Sequence, residues 1–217
     1  MKIGVVIPDQ NNRSEFLSQC LKYIGRQTVR PDHIELINDE SGLEKDLTWR
    51  YRVGCDRLKK KTDVILFMEN DDWYSEKYIE SMVTKWQASG RHDIFGLSET
   101  IYYNLNLRKY IALNHPGRAS AMSTLIRSDA VDKIKWPKPE CVNLDRELWR
   151  QLSGHAMRLD DIICIGIKHG QGNCGGSGHN ENWRAYDNAV GDQNGNWLKG
   201  ITGKDYEFYE KLMRGKT

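Results

Sequence analysis

Four consecutive polar residues, Glu69-Asn70-Asp71-Asp72, carry the strongest chemical signal in the sequence. They follow directly on an apolar run, Val64-Ile65-Leu66-Phe67-Met68, and precede two aromatics, Trp73 and Tyr74. A short apolar run of this kind reads as a buried strand. Three carboxylates and an amide at its tip offer hard oxygen donors to a charged ligand, typically a divalent cation with phosphates. The same residues also read as a polar turn that opens a helix, with Asp72 or Ser75 as the cap. The rest of the chain has to decide between the two.

Two other apolar runs end in the same way. Lys2 to Pro8 is continuous, as expected for a strand buried on both faces of a parallel sheet, and Asp9 follows it. His33 to Ile37 runs into Asn38-Asp39-Glu40-Ser41-Gly42. Between them, Phe16, Leu17, Cys20, Leu21 and Ile24 fall on one helical stripe, with Ser14 as the expected cap. A second helix is expected from Leu43 to Lys61, and a third, capped near Ser75, buries Tyr78, Ile79, Met82, Val83 and Trp86. The order is β-α-β-α-β-α with right-handed crossovers. Open sheets of this sort bind ligands outside the carboxyl ends of their strands. Pro8-Asp9, Asn38-Asp39 and Glu69 to Asp72 all lie at such ends, which favours a nucleotide site. Arg13, at the first helix start, reads either as a phosphate contact or as a surface arginine.

The second half changes character. Short strands are expected over His92–Leu97, Thr100–Tyr103, Lys109–Leu113 and Met122–Arg127, with a short helix from Ser128 through Ile134. A helix begins at Leu144, and Asp161 to Lys168 reads as an apolar strand with His169 at its end. An imidazole there could complete a metal shell opposite Asp71, or serve packing alone. Gly170, Gly172, Gly175, Gly176 and Gly178 crowd the next segment, as a phosphate cradle or the hinges of a lid. His179 to Gly203 has no clear period, and a last helix spans Asp205 to Arg214. Neither a Gly-Lys-Ser/Thr loop nor a G-x-G-x-x-G after the first strand is present, which counts against P-loop enzymes and dinucleotide-dependent dehydrogenases.

At 217 residues, 39% hydrophobic and 29% charged, the composition is that of an ordinary globular domain. The net charge of +2 indicates no strong global field for nucleic acid. The basic run from Arg50 to Lys61 reads as a solvated helix face, or else as a local phosphate patch. Five scattered cysteines without a C-x-x-C pair argue for reduced thiols, a cytoplasmic location and no zinc site. No apolar run approaches the roughly 20 residues that span a bilayer, so no integral membrane association is expected. Core packing is the default for each of the seven tryptophans, and Trp73, with Tyr74, follows the acidic stretch where the pair could instead form a platform for a sugar ring.

Taken in order, Val5-Val6-Ile7-Pro8, Asn12 to Leu17, Gln27-Thr28, Asn38-Asp39-Glu40-Ser41, Phe67 to Tyr74 and Leu144-Asp145-Arg146-Glu147-Leu148-Trp149 resemble the inverting GT-A glycosyltransferases of the family-two type. The resemblance spans roughly residues 3 to 150. It implies one α/β domain over residues 1–217, a Rossmann-like three-layer sandwich with a mostly parallel central sheet. Residues 1–104 would form the nucleotide-sugar half, and residues 105–217 the acceptor half with a glycine-rich C-terminal lid. It implies a nucleoside-diphosphate sugar donor, most simply a UDP-sugar, a divalent Mn²⁺ or Mg²⁺, and a hydroxyl acceptor on a glycan, a protein or a modified nucleic-acid base. By resemblance, Asp39 holds the base, Pro8 and Asp9 line the base and ribose pocket, and Arg13 reaches phosphate. Glu69-Asn70-Asp71 stands where the family has acid-any-acid. Asp71 is then the metal ligand, joined by His169, and Glu69 touches ribose or a metal-bound water. Asp145 is the base that takes the acceptor proton, with Glu147, Asp160 and Asp161 as fallbacks. Asn38, Glu69 and Leu144 depart from the usual family residues. A sugar-phosphate nucleotidyltransferase and a degenerate, non-catalytic GT-A module are the alternatives.

Overall fold

The computed structural model describes residues 1–170 and 179–214. Its centre is a sheet in the order β2-β1-β3-β8-β5-β9. The strands are β1 (Ile3–Pro8), β2 (His33–Ile37), β3 (Val64–Phe67), β5 (Ile94–Leu97), β8 (Thr124–Arg127) and β9 (Gly154–Met157). β1 pairs parallel with β2 and β3, and β5 pairs parallel with β9. Only β8 runs against its neighbours, β3 and β5. The expected mostly parallel sheet is therefore present.

Alternation along β1 and β3 explains the layering. Val5, Ile7, Leu66 and Met68 point to one face, where they meet Tyr23 and Ile24 of α1 (Ser14–Gly25), Tyr78 and Met82 of α3 (Tyr78–Ala88) and Tyr209 of α6 (Tyr206–Arg214). Val6, Ile65 and Phe67 point the other way, against Tyr51 and Leu58 of α2 (Leu47–Leu58) and Leu148 of α4 (Leu144–Gln151). Period two in a strand produces this two-sided burial. Burying each such side chain contributes roughly 1.5–3 kcal/mol. Gly54 lets α2 close on the sheet, because a Cβ there would stand 2.4 Å from Val6 Cγ1.

A second sheet, β11-β7-β6-β10-β4, packs beside the first. It contains β4 (Trp73–Tyr74), β6 (Glu99–Asn104), β7 (Lys109–Asn114), β10 (Cys164–Lys168) and β11 (Val190–Gly191). α5 (Asn196–Thr202) follows β11, and buried Asp192 caps it by accepting the Trp197 and Leu198 backbone N–H groups. Asp205 joins the C-terminal segment to α1 and β4: Gln19, Arg26 and Trp73 Nε1 all donate to it.

Several expectations change at this level. The second helix is shorter than Leu43–Lys61, because Asp46 stands at its cap position and turns its carboxylate to Gln10, Ser41 and Arg50. The basic run is largely matched by acids, with Arg57 on Asp39, Lys59 on Asp56 and Asp132, and Lys61 on Glu35. Arg50 is buried rather than solvated. Neither Asp72 nor Ser75 caps the third helix, which starts at Tyr78 after Lys77. The segment from Ser128 is a 3-10 helix over Ser128–Lys133. Gly172, Gly175, Gly176 and Gly178 of the expected lid lie outside the described residues.

Candidate active site

The acidic stretch is a turn between two strands. Met68 still donates to Val6 C=O, so β3 stays paired with β1 up to the turn. The Glu69 backbone N–H donates to Tyr74 Oη at 2.8 Å, and Asp72 N–H donates to Glu69 C=O. The chain then returns as β4, antiparallel to β10, with Ile165 opposite Trp73 and Cys164 opposite Tyr74. Continued toward the turn, that register sets Asp72 beside Gly166 and Asp71 beside Ile167, with Lys168 and His169 just beyond. Residues almost a hundred positions apart meet for this reason.

The contacts follow from that register. Asp72 Oδ1 accepts the Ile167 N–H at 2.8 Å, while its Oδ2 is buried without a hydrogen-bond partner among the described residues. Asp71 Oδ2 lies 2.9 Å from His169 Nε2 and accepts from Arg13 Nη1 at 2.6 Å. Phe16 backs the His169 ring at 4.6 Å between centroids, and His179 stands edge-on at 5.0 Å. From the β1 side, Asp9 Oδ1 accepts from Asn70 Nδ2 at 2.7 Å, and Asn70 Oδ1 faces Arg13 Nη2 at 3.4 Å. Asp9, Asn70, Arg13, Asp71 and His169 thus form one connected polar chain across the strand ends, with Pro8 buried at the end of β1.

Carboxylate oxygens of Glu69, Asp71 and Asp72 lie within 4.8 Å of one another. Burial, and next the Asp71 charge, push Glu69 up to about 7. Burial and then the Glu69 charge push Asp72 well above the ordinary carboxylate range. Asp71 goes the other way: burial opposes its charge, but the His169 contact and the Arg13 charge outweigh burial and hold it low. Lys168 lies among these acids with its Nζ 5.0 Å from the Tyr102 ring centroid. Burial opposes its charge, but Asp72, Tyr102, Glu69 and Asp71 raise its proton affinity. Hard oxygens with one imidazole suit Mn²⁺ or Mg²⁺. The orphaned Asp72 oxygen is an acceptor that such an ion would satisfy, so the residues fit a divalent metal.

Asp145 lies in the first turn of α4, with Asn143 rather than Asp145 at the cap position. It is ion-paired with Arg118. Burial nevertheless raises its proton affinity, outweighing Arg118. Its charge also helps to raise Glu69, so it belongs to the same field. Glu147 pairs with Arg150 at 2.9 Å, and Asp160 and Asp161 are exposed. Asp39 stands apart from the connected chain, about half exposed and paired with Arg57 at 3.0 Å. Its neighbour Asn38 is tied in, since Asn11 Nδ2 donates to Asn38 C=O at 2.8 Å.

Trp73 does not offer a stacking platform. It is 5% exposed and donates its Nε1–H to Asp205, because its place in β4 turns it into the core. Sequence reasoning passed over Lys168 and Arg118, and read Tyr74 with Trp73 as a stacking surface, whereas Tyr74 is buried with its hydroxyl on the Glu69 N–H. Lys168 was detectable as the neighbour of His169 at a strand end. Nothing local marks Arg118 or the two-residue strand that carries Tyr74.

Neither a family model nor a curated protein matches the chain. Solved structures match its fold. S. aureus TarS 1–349 in complex with UDP-GlcNAc aligns with a TM-score of 0.58 at 12% identity, covering 80% of this chain and 60% of that one. The same protein with UDP gives 0.53 at 11%, covering 77% and 60%. A197 from STIV gives 0.51 at 16%, covering 73% of this chain and 82% of that one. The chain thus spans about 60% of the matched TarS chain, and at these identities the likeness is one of fold. The mixed α/β sandwich is a GT-A-like fold.

Proposed function

We propose that this chain is a metal-dependent inverting glycosyltransferase that moves one sugar from a UDP-sugar to a hydroxyl acceptor. The observation that carries the reading is the cluster Glu69, Asp71 and Asp72 with His169, set at the strand ends of a GT-A-like sheet. A fold shared with a protein solved holding UDP-GlcNAc supports the donor class.

In this reading, Pro8, Asp9 and Asp39 line the base and ribose pocket at the tips of β1 and β2. Asn70 holds Asp9 in place, and Glu69 accepts from a ribose hydroxyl. Asp71 and His169 hold the divalent ion, and Arg13 reaches a donor phosphate. A bound Mn²⁺ or Mg²⁺ supplies positive charge against the leaving diphosphate. The acceptor oxygen attacks the anomeric carbon as the bond from that carbon to the β-phosphate oxygen breaks. Asp145 takes the hydroxyl proton. Its raised proton affinity suits a general base, and proton transfer of this kind contributes roughly 10²–10⁴ in rate. Arg118 orients the carboxylate beforehand.

Purified protein with Mn²⁺ should bind and slowly hydrolyse a UDP-sugar in a panel that includes GDP- and dTDP-sugars. Absence of both binding and hydrolysis across the panel would refute the reading. Pyrophosphate release from a nucleoside triphosphate and a sugar phosphate would instead mark a nucleotidyltransferase. Donor binding without any turnover would mark a degenerate module.

A further inference from the structure

Arg13 sits where metal-ligand atoms converge. Its Nη1 is 2.6 Å from Asp71 Oδ2 and 3.0 Å from His169 Nε2, and those two atoms are 2.9 Å apart. A carboxylate oxygen and an imidazole nitrogen are both ligand atoms for divalent ions. His169 Nε2 has one lone pair site, which holds a proton, faces the guanidinium or binds a metal, one at a time. The arginine therefore occupies, as a cation of the chain itself, the point at which the metal-dependent reading needs an external one.

We propose that Arg13 is a resident counter-cation that exchanges places: it gives up Asp71 and His169 when a divalent ion binds, and turns to a phosphate oxygen of the donor. This rests on the metal-dependent reading above. The guanidinium is suited to both stations, since it pairs with carboxylate and with phosphate through the same N–H fork. Its side chain is 20% exposed, so it is not locked into the core. Once Arg13 leaves, Lys168 alone of the two cations stays among Glu69, Asp71 and Asp72, and the acids draw in a divalent ion.

The exchange couples two ligands. Metal alone must break the Arg13–Asp71 contact and leaves the arginine without a phosphate. Metal with UDP gives the arginine a new anionic partner. Mn²⁺ and UDP should therefore strengthen each other's binding, by equal factors, and Arg13 should carry that coupling.

The test is Mn²⁺ binding to the full chain, read by electron paramagnetic resonance of the free ion, with and without UDP. Wild type should bind Mn²⁺ weakly alone and more tightly with UDP. Arg13→Ala should tighten Mn²⁺ binding without UDP by about tenfold, the scale of one charge-assisted hydrogen bond. It should also reduce the UDP-induced gain by a similar factor. Loss of structure would weaken Mn²⁺ binding instead of tightening it. Arg13→Gln, which keeps most of the side-chain volume, is read in the same way if the alanine variant does not fold. Wild-type Mn²⁺ binding with an unchanged or weaker dissociation constant in both variants overturns the exchange and leaves the metal-dependent reading standing. Absence of Mn²⁺ binding to wild type, with or without UDP, refutes that reading and the exchange together.

Discussion

Replacing Glu69 by Gln should make the metal-free protein more stable at alkaline pH. Glu69, half-buried, shares a turn with Asp71 and Asp72, and folding moves its proton affinity from 4.5 up to about 7. A folded value above the unfolded one means that the folded chain holds the proton between those pH values while the unfolded chain has released it. The contribution of Glu69 to stability is therefore present below about pH 4.5 and lost as pH rises through about 7. At about 1.4 kcal/mol per pH unit, the full difference is about 3 kcal/mol. Partial solvent access to the turn trims this toward about 2 kcal/mol. Glutamine has the shape without the charge, so Glu69→Gln should gain about 2–3 kcal/mol over wild type at pH 8 in EDTA and nothing at pH 4.5. For a chain of this length the gain at pH 8 corresponds to a rise of roughly 5–10 °C in Tm. Urea unfolding of both proteins at the two pH values measures it. Identical curves at pH 8, or an equal gain at both pH values, would show that the acids of this turn do not repel as the geometry requires.

Three further outcomes are expected. Asp145→Asn should lower kcat by roughly 10²–10⁴ while the UDP-sugar dissociation constant stays put, and a parallel loss of donor binding would remove Asp145 from the base role. Asp205→Ala leaves Arg26, just past α1 and 19% exposed, with only the more distant Glu76 at 3.9 Å, takes the acceptor from Gln19 and Trp73 Nε1, and should cost about 3 kcal/mol in urea unfolding; a cost well under 1 kcal/mol would mean that the C-terminal segment is held by apolar contact alone. His115 Nε2 is buried without a hydrogen-bond partner among the described residues, and burial, then Arg118, lowers its proton affinity to about 4. The folded chain excludes that proton, so stability is complete above about pH 6.5 and falls as pH drops toward 4; the difference between wild type and His115→Gln should change across that window, and parallel pH profiles would refute it.

How legible the fold was depended on what each segment does physically. β1 and β3 are buried on both faces, so they stood out as unbroken apolar runs, and α1 and α3 showed their stripes. β4 is two residues long and β9 is Gly-His-Ala-Met with both early residues exposed, so neither had a period to read. The segment after His179 holds a 3-10 helix, a short strand and α5, each too brief for periodicity to register. The polar residues that gather at the ends of β1 and β3 were legible because each set closes an apolar strand. Trp73 was misplaced for the same reason that β4 was missed: without the strand, an aromatic after an acidic turn reads as surface. Arg13 had two readings from sequence, and its contacts with Asp71, His169 and Asn70 tie it to the site.

Charge balance at the turn bears on whether the site binds or merely persists. A structural ion-pair cluster pairs its groups, and here Asp71 is paired twice, by Arg13 and His169. Asp72 is not: one oxygen accepts Ile167 N–H and the other has no hydrogen-bond partner among the described residues, though the residue is 1% exposed. A buried acceptor left unmet costs roughly 1–3 kcal/mol, more when charged. Among the described residues, Glu69 beside it has only the distant Tyr51 hydroxyl at 3.5 Å hydrogen-bonded to its carboxylate. An apolar pair in their place would relieve that cost, and so would a cation delivered from outside. In the metal-dependent reading a divalent ion at this turn would relieve that cost, and the gain expected for Glu69→Gln should then shrink or reverse when Mn²⁺ replaces EDTA.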